Sequence, residues 1–134
     1  MAVPHLVSNA TKGTSKLANL HLLSGLRIGF DIVSGGDLAR AIAARAEPAR
    51  IVFSGVGKTE VEMASALQLG ILCFNVASAS ELEHLNRVAG SLGKRAPSSF
   101  RVSPAVAPKT PPSTPPALQG DTLGRPVARA PPRR

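Results

Sequence analysis

Tryptophan and tyrosine are absent from this chain of 134 residues, phenylalanine occurs four times and cysteine once. With so few aromatics, the interior is expected to be built from Leu, Ile, Val and Ala. The single cysteine, Cys73, excludes an intramolecular disulfide and fits a reducing, cytoplasmic compartment. Between Leu72 and Phe74 it reads as a small core residue. Long apolar runs are missing: Gly70–Val76 is far short of the roughly 20 residues that a membrane-spanning helix needs. The opening Met-Ala-Val-Pro-His lacks the charged start and long apolar stretch of a secretory signal. His5, His21 and His84 share no ligand spacing, so no metal site is expected.

Acidic residues are also scarce, eight against sixteen basic ones, giving a net charge of +8. The imbalance is uneven. Residues 1–100 carry ten Lys/Arg and seven Asp/Glu, whereas residues 101–134 carry six and one. Basicity thus belongs mostly to the C-terminal stretch. Without aromatics to stack on bases, those cations make no specific nucleic-acid motif. Proline is distributed the same way, with ten of twelve at or beyond Pro97. Proline removes a backbone donor and disfavours helix at the residue before it, so regular structure is expected to cease near Val102. Residues 1–103 are read as one domain and 104–134 as a disordered, basic, proline-rich tail.

Five short apolar runs stand out: Leu6–Ala10, Ile28–Val33, Arg50–Ser54, Ile71–Val76 and Ser99–Val102. Helical patterns lie between them. Leu17, Leu20, Leu23 and Leu26 repeat every third residue and are read as one apolar stripe. Leu38, Ala41 and Ile42 mark a second helix, which Pro48 is expected to terminate, with Ser34-Gly35-Gly36 placed to cap its start. Thr59-Glu-Val-Glu62 and Ser78-Ala-Ser-Glu81 both match a capping box. Leu82, Leu85, Val88 and Leu92 give the last helix its buried face, and Gly93 is placed to end it. Strands alternating with helices at this spacing call for right-handed crossovers and a parallel sheet. An open doubly wound sheet and part of a (β/α)8 barrel both satisfy the pattern. Ser54-Gly55-Val56-Gly57-Lys58 lacks the spacing of a nucleotide phosphate loop.

The run Ile28-Gly-Phe-Asp-Ile-Val-Ser-Gly-Gly36, with Phe53-Ser-Gly-Val-Gly-Lys58 and Phe100-Arg-Val102 after it, resembles the diaminopimelate decarboxylases. The likeness is strong over residues 28–102 and thins on either side. It implies an α/β fold: a partial (β/α)8, alanine racemase-like barrel of about five parallel strands with outer helices. It also implies pyridoxal 5'-phosphate as cofactor and an amino acid as substrate. Counting back from Gly29 places the family's cofactor-bearing lysine on Lys12, within Asn9-Ala-Thr-Lys-Gly-Thr14. Such a lysine forms the Schiff base at a strand's C-terminal end. Asp31 falls on the acidic residue near that lysine, Asp37 on a position that is usually glutamate, and Arg101 on a strand arginine near the cofactor. Ser103 stands where asparagine is usual, and after Lys109-Thr110 the histidine and tyrosine of the family's His-Pro-Tyr are lost. The family's glycine-rich phosphate loop, its ring-stacking histidine strand and its C-terminal domain find no counterpart. The resemblance therefore implies a decarboxylase-like fragment, inactive alone, that works if at all with a complementing chain or a second copy. The alternative is a non-catalytic, truncated or frame-shifted derivative serving as an interaction module.

Overall fold

The structure, a computed structural model, describes residues 5–103 and 125–126. Five strands, β1 (Ser8–Ala10), β2 (Gly29–Ile32), β3 (Ile51–Phe53), β4 (Cys73–Val76) and β5 (Ser98–Phe100), form one parallel sheet. The helices between them are α1 (Leu17–Gly25), α2 (Gly35–Ala43), α3 (Glu60–Leu69) and α4 (Ala79–Ser91). Strand order is β1-β2-β3-β4-β5, with no reversal. Successive right-handed crossovers in that order put every helix on the same face, and a doubly wound sheet needs a reversal. The repeat is therefore the wall of a barrel. Among the described residues, no helix is long and apolar enough to cross a membrane.

Past β5 the chain continues through Arg101 into β6 (Val102–Ser103), which pairs in parallel with β7 (Arg125–Pro126). Arg125–Pro126 is the described part of the stretch expected as a tail. Its remainder, residues 104–124 and 127–134, lies outside the described residues.

Strand register sorts the side chains. Phe30 aligns with Ile51, Ile32 with Phe53, and Phe53 with Phe74. All of these are fully buried beneath the helices. The Phe53 and Phe74 rings stack at 6.0 Å between centroids and 21° between planes. An interior of aliphatic side chains alone is therefore not what forms. Leu20, Leu38, Met63, Ala66 and Leu85 come from the helices, but three of the four phenylalanines are the largest buried side chains. A parallel strand covered on one side offers its deepest positions to whatever large apolar residue occupies them.

The helix boundaries correct three local expectations. In α1 only Leu20 is buried and Leu23 packs partly, while Leu17, Leu22 and Leu26 are at least half exposed. Steps of three residues on a helix of 3.6 per turn drift around its axis, so a run of three such steps cannot stay on one face. Pro48 does not end α2. That helix stops at Ala43, and the turn is completed by Arg45 at φ 61° with Ala46 N donating to Ala41 O at 2.9 Å. α4 ends as its sequence suggests, with Gly93 at φ 62° and Lys94 N donating to Ala89 O at 2.9 Å. The capping box of α3 forms in full, Thr59 Oγ1 accepting from Glu62 N and Glu62 Oε2 accepting from Thr59 N at 2.9 Å. At α4 only half of it forms. Ser78 Oγ accepts from Glu81 N, but the Glu81 carboxylate reaches one residue further back, to Ala77 N at 2.9 Å.

Polar side chains tie each β/α unit to the next. Ser24 of α1 donates to Arg45 O at 2.6 Å, and His21 meets Ala44 O at 3.3 Å. Glu62 Oε1 accepts from Gly35 N at the start of α2 at 2.7 Å. His84 of α4 pairs with Glu60 at 3.0 Å, and Lys94 donates to Leu67 O at the end of α3. Backbone also meets backbone closely: a Cβ on Gly55 would lie 2.1 Å from Val33 O, so β2 and β3 approach at their ends only because residue 55 has none.

This packing can be tested at three positions. Gly55→Ala is expected to cost about 1–3 kcal/mol through forced separation of the strand ends, read as a lower urea midpoint. Backbone donors of Thr59 and Gly35 and the Thr59 hydroxyl hold the Glu62 carboxyl below its ordinary range. A depressed folded pKa stabilises above the unfolded value and is lost as pH falls through the folded one. The stability gap between wild type and Glu62→Gln should therefore be full near neutrality and close in acid below the normal carboxylate range. A gap of constant size across that range would contradict this role. Thr59→Ala should cost about 1 kcal/mol.

Candidate functional site

In a one-sided parallel sheet, all strands end on the same rim, and the residues just past those ends share one space. Here they are Lys12 after β1, Val33 after β2, Ser54–Val56 after β3, Ala77 after β4 and Arg101 after β5. Two lobes of a cavity open among them. One, of about 280 Å³, is lined by Lys12, Asp31, Ser54, Gly55 and Arg101 among others. The second, of about 310 Å³, shares Asp31, Ser54 and Arg101 and adds Asn75, Ala77 and Phe100.

Each charged member is placed by its own element. Lys12 is exposed in a single 3-10 turn, Thr11–Gly13, directly after β1. Thr11 beside it is buried and donates from Oγ1 to Asp31 O at 3.2 Å, which fastens that turn to the end of β2. Asp31 aligns with Val52 and alternates with the buried Phe30 and Ile32, so its carboxylate faces the concave side. Its Oδ1 is buried and has no hydrogen-bond partner. Arg101 is held by its backbone, whose N donates to Val76 O at 2.9 Å, with an exposed side chain. The structure therefore brings Lys12, Asp31 and Arg101 together.

Asp37 stands apart. It is buried in the first turn of α2, where Oδ2 accepts from Val33 N and Oδ1 from Arg40 Nη1, both at 3.2 Å. Ser34 Oγ accepts from Asp37 N, as the capping expectation required. The Asp37 carboxylate is thus fully engaged in closing the β2–α2 turn, and it lines neither lobe.

Three polar residues at the strand ends, Ser54, Asn75 and Ser99, were not assigned to the site from sequence. Asn75 Nδ2 donates to Ser54 Oγ at 2.7 Å, and its Oδ1 accepts from Ser99 Oγ. Their signal is a polar residue at the last inward position of an otherwise apolar strand, as in Ile-Val-Phe-Ser54 and Cys-Phe-Asn75. Cys73 is a correction. It aligns with Val52 on the concave side, half-buried, and does not belong to the core that Phe74 joins. Burial pushes its thiol up, the nearby Asp31 charge adds to this, and a hydrogen bond with Ser99 opposes it. A thiol so held stays protonated and is a poor nucleophile. Lys58, at the end of the glycine loop, is also buried. It pairs with Glu81 Oε1 at 2.7 Å and lies 5.5 Å from the centre of the Phe53 ring. Among the described residues, no group of three or more His, Cys, Asp or Glu could hold a metal.

Comparison with known proteins places this geometry. The family pattern described as "Pyridoxal-dependent decarboxylase, pyridoxal binding domain" matches residues 1–124. The diaminopimelate decarboxylase of Vibrio cholerae is 51% identical over 127 residues, 95% of this chain and 30% of that protein. That of Pseudomonas aeruginosa is 55% identical over 104 residues, 78% of this chain and 25% of that protein. The crystal structure of the Helicobacter pylori diaminopimelate decarboxylase complexed with L-lysine superposes with a TM-score of 0.80 at 43% identity, covering 89% of this chain and 30% of that one. The corresponding structure from M. jannaschii, in co-complex with L-lysine, gives 0.83 at 38%, covering 91% and 28%. This chain thus spans about three-tenths or less of the length of these relatives. The unreversed sheet is the barrel wall of those enzymes, and the chain belongs to the pyridoxal-dependent decarboxylases through their pyridoxal-binding domain.

Proposed function

We propose that the rim formed by Lys12, Asp31 and Arg101 is the cofactor-holding wall of a decarboxylase acting on an amino acid of the meso-diaminopimelate class, with L-lysine as product. The observation that carries this is the buried, unpartnered Oδ1 of Asp31, facing a cavity that also contains an exposed lysine and an arginine. Leaving a buried carboxylate oxygen without a donor costs more than a surface group would, so a protonated ligand nitrogen is the fitting occupant. The residues present suit pyridoxal phosphate. Lys12 offers an amine for an aldehyde, Asp31 an acceptor beside it, and Arg101 a positive charge for an anionic group. When bound, that cofactor would supply an electron sink for loss of a carboxylate.

The remaining assignments are proposals about this chain's own residues. Lys12 would hold the cofactor aldehyde, with Thr11 fixing its turn against β2. Asp31 would orient the protonated nitrogen. Arg101 would balance negative charge at the β5 end of the rim. Asp37 would act one step removed, by keeping the turn that ends at Val33 closed. Among the described residues no helix covers the concave side, so the orientation and desolvation that speed decarboxylation would be incomplete. The chain alone is thus proposed to hold the cofactor and not to turn over. A complementing chain that closes the wall would supply the rest.

The test is reduction with borohydride in the presence of pyridoxal 5'-phosphate, followed by peptide mass spectrometry. A single adduct on Lys12, lost in Lys12→Ala and weakened about tenfold in affinity by Asp31→Asn, is the expected result. Labelling spread over surface lysines and unchanged in both variants would sink the proposal. Carbon dioxide release from meso-diaminopimelate by the 134-residue chain should not exceed that of Lys12→Ala.

A further inference from the structure

The buried Lys58–Glu81 pair lies behind the cavity wall and touches no cavity-lining charge. Stability alone does not explain it, because apolar residues of similar volume commonly serve as well as a buried ion pair. What the pair bonds to is more informative. The β3–β4 ladder aligns Val52 with Cys73 and Phe53 with Phe74, then stops. Beyond it, β4 still presents the carbonyl of Asn75 and the amide of Ala77, with no strand beside them. Lys58 Nζ donates to Asn75 O at 2.8 Å, and Glu81 Oε2 accepts from Ala77 N at 2.9 Å, while Nζ and Oε1 meet at 2.7 Å. The two side chains thus stand in for the missing strand. On the other edge of β4, Val76 O accepts from Arg101 N at 2.9 Å.

We infer that Lys58 and Glu81 are positioning residues for the candidate site, pinning the end of β4 so that Asn75 is held in the cavity wall between Ser54 and Ser99. Strand alternation then turns the Asn75 side chain to the concave side, where Nδ2 donates to Ser54 Oγ and Oδ1 accepts from Ser99 Oγ. The strut crosses the ends of β3, β4 and β5 between the register level of Asp31 and that of Arg101, and Ser54 and Asn75 line the same lobe as those two residues. It fixes the shape of the space in which the ligand of those two residues sits. Its importance for that ligand rests on the reading of the site proposed above, but its effect on Asn75 does not.

The experiment compares the full wild-type chain with Lys58→Met/Glu81→Leu, which removes both charges together and spares Glu81 a buried, unpaired state. Lys58→Arg serves as conservative rescue, and Glu81→Gln as a second variant that keeps size and one acceptor. Two quantities are read: solvent exchange of the Asn75 side-chain amide by NMR, and affinity for pyridoxal 5'-phosphate. In the folded double variant the amide is expected to exchange about tenfold faster or more, with a thermal midpoint close to wild type, and Lys58→Arg should restore part of the protection. Affinity should fall by about the same factor, as it should in Asn75→Ala. An unchanged Asn75 amide in the double variant or in Glu81→Gln overturns the inference, whatever happens to stability. Should wild type take up no pyridoxal 5'-phosphate, the reading of the site fails, and the amide alone decides the role of the pair. Wild-type affinity in a variant whose amide has become mobile would overturn the link between the strut and the ligand.

Discussion

Everything in this structure follows from strands that add in one direction and never double back. Because each right-handed crossover returns to the same face, the described helices accumulate on one side of the sheet, and the other side carries none of them. One face therefore has to hold the chain together, and it does so with Phe30, Phe53 and Phe74 beneath four helices. The opposite face carries Asp31, Cys73, Asn75 and Arg101, which contribute little to the core. Packing and chemistry are separated by the pleat of the strand, residue by residue.

That separation explains which parts of the fold were legible in the sequence. The alternation in Gly29-Phe-Asp-Ile32 and Cys73-Phe-Asn-Val76 puts aromatic and polar residues on opposite faces, so strands and their polar rim could both be read. The caps were legible at Thr59 and Ser34, where the pattern is local. Where a neighbouring unit intervened, local pattern failed. Glu81 matches a capping box but is drawn to Lys58 and Ala77, contacts that no window of four residues contains. Leu17 and Leu26 look like one stripe with Leu20 until helical pitch is applied. Cys73 reads as core because its neighbours are apolar, but which face it takes is settled by register with Val52.

The candidate site was legible in a different way. Lys12, Asp31 and Arg101 are distant in sequence, and nothing in their own surroundings brings them together. The family resemblance supplied those positions, and the parallel sheet gives the physical reason for their meeting on one rim. Asp37 shows the reverse case. Its position matched, but its carboxylate is taken up by Val33 N and Arg40 in closing a turn. The residues that sequence did not assign to the site, Ser54, Asn75 and Ser99, act through bonds between side chains of neighbouring strands, which become visible only when those strands are side by side.

The polar ties between successive helices carry a consequence for how the molecule comes apart. A chain of β/α units joined only by backbone pairing could lose its terminal units one at a time, as repeat arrays do. Here the carbonyls of Ala44 and Arg45, in the turn that closes α2, are held by His21 and Ser24 of the preceding helix, the first amide of α2 by Glu62 of the following one, and the end of α3 by Lys94. A helix that melts thus uncaps its neighbour. Opening of one unit is penalised by bonds belonging to the next, and loss of order spreads through the described barrel wall as a single cooperative event.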